Sequence, residues 1–195
     1  MDKTAALEIV KPHLTEHRYI HTVGVMETAV YLADKIGNLH QNEVELAAIF
    51  HDYAKFRDKE EMRSIIRQQE YDKKFIDYGD ELLHAPAGAY LVKTEIGIDN
   101  EEILSAIFWH TTGKEDMNNL EKVLFLADYI EPNRIFPGVE EVRRTADENI
   151  DEAVVMALRN TITFLMKKQQ SVFPKTLYAY NDMVYKIKRK ANRGG

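Results

Sequence analysis

The sequence predicts an all-α protein, a helical bundle in a single domain. Apolar residues recur at helical spacing along nearly the whole chain, and no stretch alternates like a half-buried strand. Side-chain cap signals also stand in front of the most apolar runs. At 195 residues the chain can bury a substantial core. It shows no internal repeat, low-complexity stretch or linker, so residues 1–195 read as one domain with the terminal helices packed on the core.

Leu7, Val10 and Leu14 open an amphipathic segment that Pro12 interrupts. From Thr15 to Ile36, the positions Ile20, Val23, Val25, Ala29, Leu32 and Ala33 form one apolar side, and Gly37 reads as the stop. Asn42 with Glu45 reads as a capping box before Val44 to Phe50, the run that ends in His51-Asp52. A charged, exposed-looking helix covers Asp58 to Glu70. A short apolar one covers Pro86 to Ile96, with His84 at the turn before it. Asp99 with Glu102 repeats the cap signal before the run ending at His110, and Asn118 with Glu121 does so before the run ending at Asp128. Two longer amphipathic helices, Glu148 to Lys168 and Thr176 to Lys190, close the chain. The basic run Lys186 to Lys190 is a solvated helix end that complements the helix dipole.

Composition narrows the function. A formal net charge of -6 argues against a general nucleic-acid binder, which would present a basic face. No stretch reaches membrane-spanning length and the N-terminus lacks a signal pattern, which makes the cytoplasm the expected compartment. With no cysteine there is no disulfide, no thiolate metal site and no cysteine nucleophile. The apolar helix faces permit a homodimer.

The polar residues that end apolar runs carry the chemistry. His21, His51, Asp52, His84, His110 and Asp128 would each be costly to bury alone. His51 and Asp52 are adjacent, and neighbours on a helix point about 100° apart. At a helix C-terminus both can turn toward one centre. His13, His17 and His21 lie four residues apart, and spacing alone does not choose among them. Imidazole and carboxylate donors without sulfur suit iron, manganese, zinc, cobalt or nickel. Such a set can hold two ions with one carboxylate bridging, the arrangement that activates a water for in-line phosphoryl displacement.

The order His21, His51-Asp52, Asp128 resembles the HD superfamily of metal-dependent phosphohydrolases, and His84 and His110 resemble the additional histidines of its two-metal members. Around them stand Arg18-Tyr19-Ile20-His21-Thr22, His51-Asp52-Tyr53-Ala54-Lys55, His84-Ala85-Pro86-Ala87-Gly88, His110-Thr111-Thr112-Gly113 and Ala127-Asp128-Tyr129-Ile130-Glu131-Pro132-Asn133-Arg134. Together these are similar to the YqeK-type family of symmetrical bis(5'-nucleosyl)-tetraphosphatases, over roughly residues 15–185. The resemblance implies hydrolysis of diadenosine tetraphosphate and related dinucleotides into two nucleoside diphosphates, with iron as the metal; the alternatives are an HD phosphohydrolase acting on another nucleotide and a non-catalytic metal-dependent nucleotide-binding module. It also selects His21 over His13 and His17.

On this reading His21, His51, Asp52 and Asp128 hold the first metal. Asp52 bridges to a second ion on His84 and His110; with a single ion, those two histidines contact phosphate instead. Asp52, His51 and Lys55 carry the catalytic roles. Arg18, Lys55 and Arg134 are the cations expected on the phosphates, with Thr111 beside His110. Lys175 and Thr176, at the N-terminus of the last helix, offer a further phosphate contact, and Phe173 a place for a base. Trp109 is expected in the core.

Overall fold

Pro12 sets the first boundary in the computed structural model, which describes residues 1–192; residues 193–195, the end of the expected domain, lie outside the described residues. Helix α1 (Lys3–Val10) passes into a 3-10 turn at Lys11–His13 that contains this proline. Helix α2 (Glu16–Ile36) then starts where Thr15 Oγ1 accepts the Arg18 N–H, and it ends at Gly37 with φ 70. Both ends of α2 are therefore where the sequence places them.

Helix α3 (Gln41–Phe50) corrects one expected cap. His40 occupies the N-cap position without a side-chain bond, and Asn42 lies inside the first turn. Asn42 Nδ2 donates to the Met1 carbonyl at 2.9 Å, while Glu45 accepts from Gln41 Nε2 at 2.9 Å. Helix α4 (Lys59–Gln68) is capped by Asp58 and buries Met62, Ile65 and Ile66 beneath its charged face. A short helix absent from the sequence reading, α5 (Lys74–Asp77), follows and buries Phe75.

Helix α6 (His84–Leu91) begins at His84 itself, which is its first helical residue and not part of a preceding turn. Pro86 is accommodated in the first turn, where its missing N–H would have no partner in any case. A π-helical turn (Val92–Ile96) extends α6 and ends at Gly97, whose left-handed φ of 78 favours glycine. Helix α7 (Glu101–Trp109) is capped by Asn100, one residue later than the expected Asp99. Helix α8 (Asn119–Ile130) carries the expected capping box, complete in both directions between Asn118 and Glu121.

Helix α9 (Val139–Glu148) is also absent from the sequence reading; it buries only Val139, Val142 and Ala146 and follows Gly138 without a side-chain cap. Helices α10 (Ile150–Lys167) and α11 (Pro174–Ala191) complete the chain, and there is no strand among the described residues. No helix among them is long and apolar enough to cross a membrane.

The core is continuous from α1 to α11, with Leu32, Ile49, Phe50, Ile107, Leu124, Leu126 and Leu158 among its fully buried side chains. Helix α2 packs on α3 and α8, α3 on α7, and α7 on α6 and α8. These contacts bring the polar ends of separate helices to one place. Removing a large side chain from this core, as in Leu126→Ala, carries the usual cost of about 2–5 kcal/mol.

Candidate metal centre

Asp52 stands at the middle of the converging ends, and its two carboxylate oxygens face different partners. Oδ2 lies 3.3 Å from His51 Nε2 and 3.9 Å from His21 Nε2, and it accepts from Arg18 Nη1 at 2.9 Å. Oδ1 lies 3.1 Å from His84 Nε2 and 3.9 Å from His110 Nε2. Asp128 closes the first side, with Oδ1 at 3.0 Å from His21 Nε2 and 3.9 Å from His51 Nε2. The two distal nitrogens of His84 and His110 face each other at 3.2 Å. All six side chains named from the sequence thus meet in one cluster.

Local backbone explains how neighbours can converge. Helix α3 gives way at His51 to successive turns, with Tyr53 N–H on Phe50 O at 3.0 Å and Lys55 N–H on Asp52 O at 2.9 Å. His51 and Asp52 therefore leave the regular helix together. His110 ends α7 in the same manner.

The proximal imidazole nitrogens are already engaged. His51 Nδ1 lies 2.7 Å from the Ala48 carbonyl, His110 Nδ1 2.7 Å from the Ile107 carbonyl, and His21 Nδ1 3.0 Å from Glu131 Oε1. Donation from each Nδ1 leaves the lone pair on Nε2, and those Nε2 atoms point at carboxylate oxygens. His21 Nε2 and His51 Nε2 are buried and make no hydrogen bond among the described residues. Acceptors converge on acceptors, which is stable only with a cation between them. The residues fit a metal on this ground.

The electrostatics agree. Burial opposes charge on His51, but the Asp52 carboxylate outweighs it and lifts the imidazole above its ordinary value. Burial would raise Asp52, yet His51 and His84 hold it well below the usual carboxylate range. Burial likewise opposes ionisation of Asp128, which His21 and Arg134 more than offset. His110 is pushed down to about 3 by burial, with His51 and His84 adding to the effect. Anionic carboxylates and a neutral imidazole are the ligating forms.

The centre opens toward solvent where its side chains are partly exposed. Asp128 is 20% exposed against 3% for Asp52, and Arg18 and Arg134 stand beside them at 21% and 34%. Arg134 Nη2 donates to Asp128 Oδ1 at 2.7 Å and its Nε to the Asp128 carbonyl at 3.0 Å. Lys55 Nζ reaches Glu81 Oε2 at 3.2 Å. Thr111 Oγ1 is buried without a hydrogen-bond partner among the described residues.

The structure sets other candidates apart from this cluster. His13 lies against Tyr53, with ring centroids 4.6 Å apart, and His17 and His40 are exposed. Lys175 Nζ is taken up by Glu115 at 3.2 Å, and Thr176 is buried in the first turn of α11. Among the described residues neither forms a hydrogen bond or ion pair with the centre. Phe173 is buried against Phe75 and Tyr78, and Trp109 packs on Phe75 and Phe108.

Sequence reasoning missed three residues around the centre. Glu131 is 1% exposed and reaches His21; Gly24 makes room for it; Arg143 on α9 holds the turn that carries it. Only a carboxylate three residues after Asp128 signals Glu131 in the sequence.

Residues 18–133 match the family described as HD domain, and the chain belongs to that family. Within it, the chain is 57% identical to the symmetrical bis(5'-nucleosyl)-tetraphosphatase of Halalkalibacterium halodurans, over 96% of this chain and 100% of that one. It is 54% identical to the enzyme of the same name from Bacillus subtilis, over 94% of this chain and 98% of the relative. A solved structure from Clostridium acetobutylicum, titled a predicted HD superfamily hydrolase involved in NAD metabolism, superposes with a TM-score of 0.89 at 37% identity. That match covers 95% of this chain and 98% of the other.

Proposed function

We propose that this protein is a metal-dependent hydrolase that cleaves diadenosine tetraphosphate and related dinucleoside polyphosphates symmetrically into two nucleoside diphosphates. The observation that carries the chemistry is Asp52, whose oxygens face one group of imidazoles each while buried Nε2 atoms lack any proton donor. The substrate class rests on full-length relatives named as symmetrical tetraphosphatases.

His21, His51, Asp52 and Asp128 would hold one ion, and Asp52 would share a second with His84 and His110. A transition metal bound there supplies Lewis acidity toward water and phosphoryl oxygen. The sulfur-free donor set suits iron, manganese, zinc, cobalt or nickel, and iron is the metal we propose first. Asp52 orients the attacking water, with His51 holding the carboxylate from its buried side. Water adds its oxygen to a phosphorus at the middle of the tetraphosphate, and the central P–O bond breaks to release a nucleoside diphosphate. Arg18 and Arg134 stand at the open side, where their guanidinium groups can exchange the carboxylates for phosphate oxygens bidentately. Lys55, held among the described residues by the exposed Glu81 alone, can swing to the same phosphates. No protein nucleophile is needed. Ligands come from α2 to α8 and the remaining helices complete the same core, so we treat 1–195 as one phosphohydrolase domain.

The test is to incubate the protein, loaded with iron(II) or manganese(II), with diadenosine tetraphosphate and to resolve the products by anion-exchange chromatography. ADP as sole product is expected, with activity lost to a chelator and regained on adding metal. AMP with ATP, or no turnover with any of the metals, would overturn the assignment.

A further inference from the structure

Glu131 is fully enclosed and each of its oxygens has a separate task. Oε2 accepts from the Asn133 backbone N–H at 2.7 Å and from Asn133 Nδ2 at 2.9 Å. Oε1 faces His21 Nδ1 at 3.0 Å. Two donors on one oxygen prevent the carboxylate from turning, so the other oxygen stays on the imidazole. The turn beneath it is held from α9: Arg143 Nε donates to the Ile130 carbonyl at 2.7 Å, and its Nη2 to the carbonyls of Glu131 at 2.6 Å and Arg134 at 2.9 Å. Helix α2 passes close by. A Cβ on Gly24 would stand 2.6 Å from Glu131 Oε2 and 3.3 Å from Asn133 Nδ2, so only glycine leaves space for the carboxylate.

From this we infer that Glu131, seated against Gly24 and braced by Asn133 and Arg143, is the positioning residue that fixes the orientation and tautomer of His21. With an ion between Nε2 and Asp128, an acceptor at Nδ1 keeps the ring proton there and leaves the Nε2 lone pair for the metal. A carboxylate is required, because an amide fails in either orientation. With its oxygen toward Asn133, a glutamine would present NH2 to Nδ1 and drive the ring proton onto Nε2. With its oxygen toward His21, it would set its NH2 against both Asn133 donors. The inference rests on the metal-centre reading: with an ion at the centre Nε2 is the ligating atom, and the proton stays on Nδ1 facing Glu131.

The test uses Glu131→Gln, which preserves volume, with two readouts. In zinc(II)-loaded protein, the His21 Nδ1–H signal is expected to be slow to exchange in the wild type and to lose that protection in the variant. Competition against a chromophoric chelator is expected to show manganese(II) binding weakened about 10- to 100-fold, the usual effect of losing such a partner. A wild-type Nδ1–H signal and wild-type manganese(II) affinity in Glu131→Gln would overturn the inference. Should that variant fold poorly, Gly24→Ala and the double variant Gly24→Ala/Glu131→Ala decide the matter. Gly24→Ala is expected to weaken manganese(II) binding alone and to add nothing once Glu131 is gone. Additive effects would show that Gly24 and Glu131 act separately and would sink the inference. If the wild type binds no manganese(II), the metal reading fails, and the orientation of the His21 ring in crystals of the wild type, Gly24→Ala and Glu131→Gln still decides the role of Glu131.

Discussion

Two buried carboxylates in this protein, Glu121 and Asp52, are surrounded in opposite ways. Glu121 at the start of α8 accepts from Ser105 Oγ and from the Asn118 N–H at 2.8 Å, and Lys114 Nζ lies 3.1 Å away. Every neighbour is a proton donor, and its own N–H returns a bond to Asn118 Oδ1 at 2.8 Å. Among the described residues Asp52 accepts from one conventional donor, Arg18, while four imidazole nitrogens crowd its remaining sides. Burial is equally deep, so depth does not separate structure from chemistry. What separates them is whether the buried group has protons to accept. A carboxylate satisfied by donors stabilises a fold, whereas one confronted by other acceptors calls for a cation.

The contrast is sharpest in activity. Asp52→Ala is expected to lower kcat/KM by about three orders of magnitude or more, roughly 4 kcal/mol of transition-state stabilisation, while helical circular dichroism persists. Near-full activity would break the contrast. Glu121→Ala should do the reverse, costing about 3 kcal/mol because the ion pair and capping box are lost together. In a chain of this size that lowers Tm by roughly 6–12 °C, with kcat unchanged well below the transition. A loss of turnover without a loss of Tm would show that α8 transmits more to the site than packing.

Protonation provides a subtler contrast. His110 is pushed down to about 3 by burial and by His51 and His84. In metal-free protein its ring NMR signals should therefore stay flat from pH 8 to about pH 4. The unfolded chain takes up this proton below about pH 6.5 while the folded chain does not. His110 thus withdraws stability progressively as pH falls from about 6.5 toward 3. A midpoint near 6.5 would mean that the ring is solvated. The smallest effect distinguishes the caps: Asn118→Ala should cost about 1 kcal/mol by chemical denaturation, and Asn42→Ala no more than about 0.5 kcal/mol, because Asn42 caps nothing.

Those two asparagines also show how far the sequence could be read. Each stands three residues before a glutamate, yet only Asn118 has the extended backbone of an N-cap; at α3 that conformation belongs to His40. A cap signal states what a side chain can do, and the backbone decides whether it does. Helix α9 escaped notice because its apolar stripe is narrow and no cap announces it. It nonetheless carries Arg143, which holds three carbonyls of the turn bearing Glu131 and Arg134. Lys175 and Thr176 looked like a phosphate site because a helix begins there, but Glu115 and the core occupy their side chains.

By itself the sequence determined that the protein is helical and that six imidazole and carboxylate groups end its apolar runs, because apolar periodicity and donor chemistry are local properties. The tertiary structure decided which oxygen of Asp52 faces which histidines, why Gly24 has no side chain and how Glu131 reaches His21. Those facts depend on approaches of a few ångströms between α2, α3, α6, α7 and the end of α8, and residues that meet across such distances leave no mark on one another's spacing along the chain.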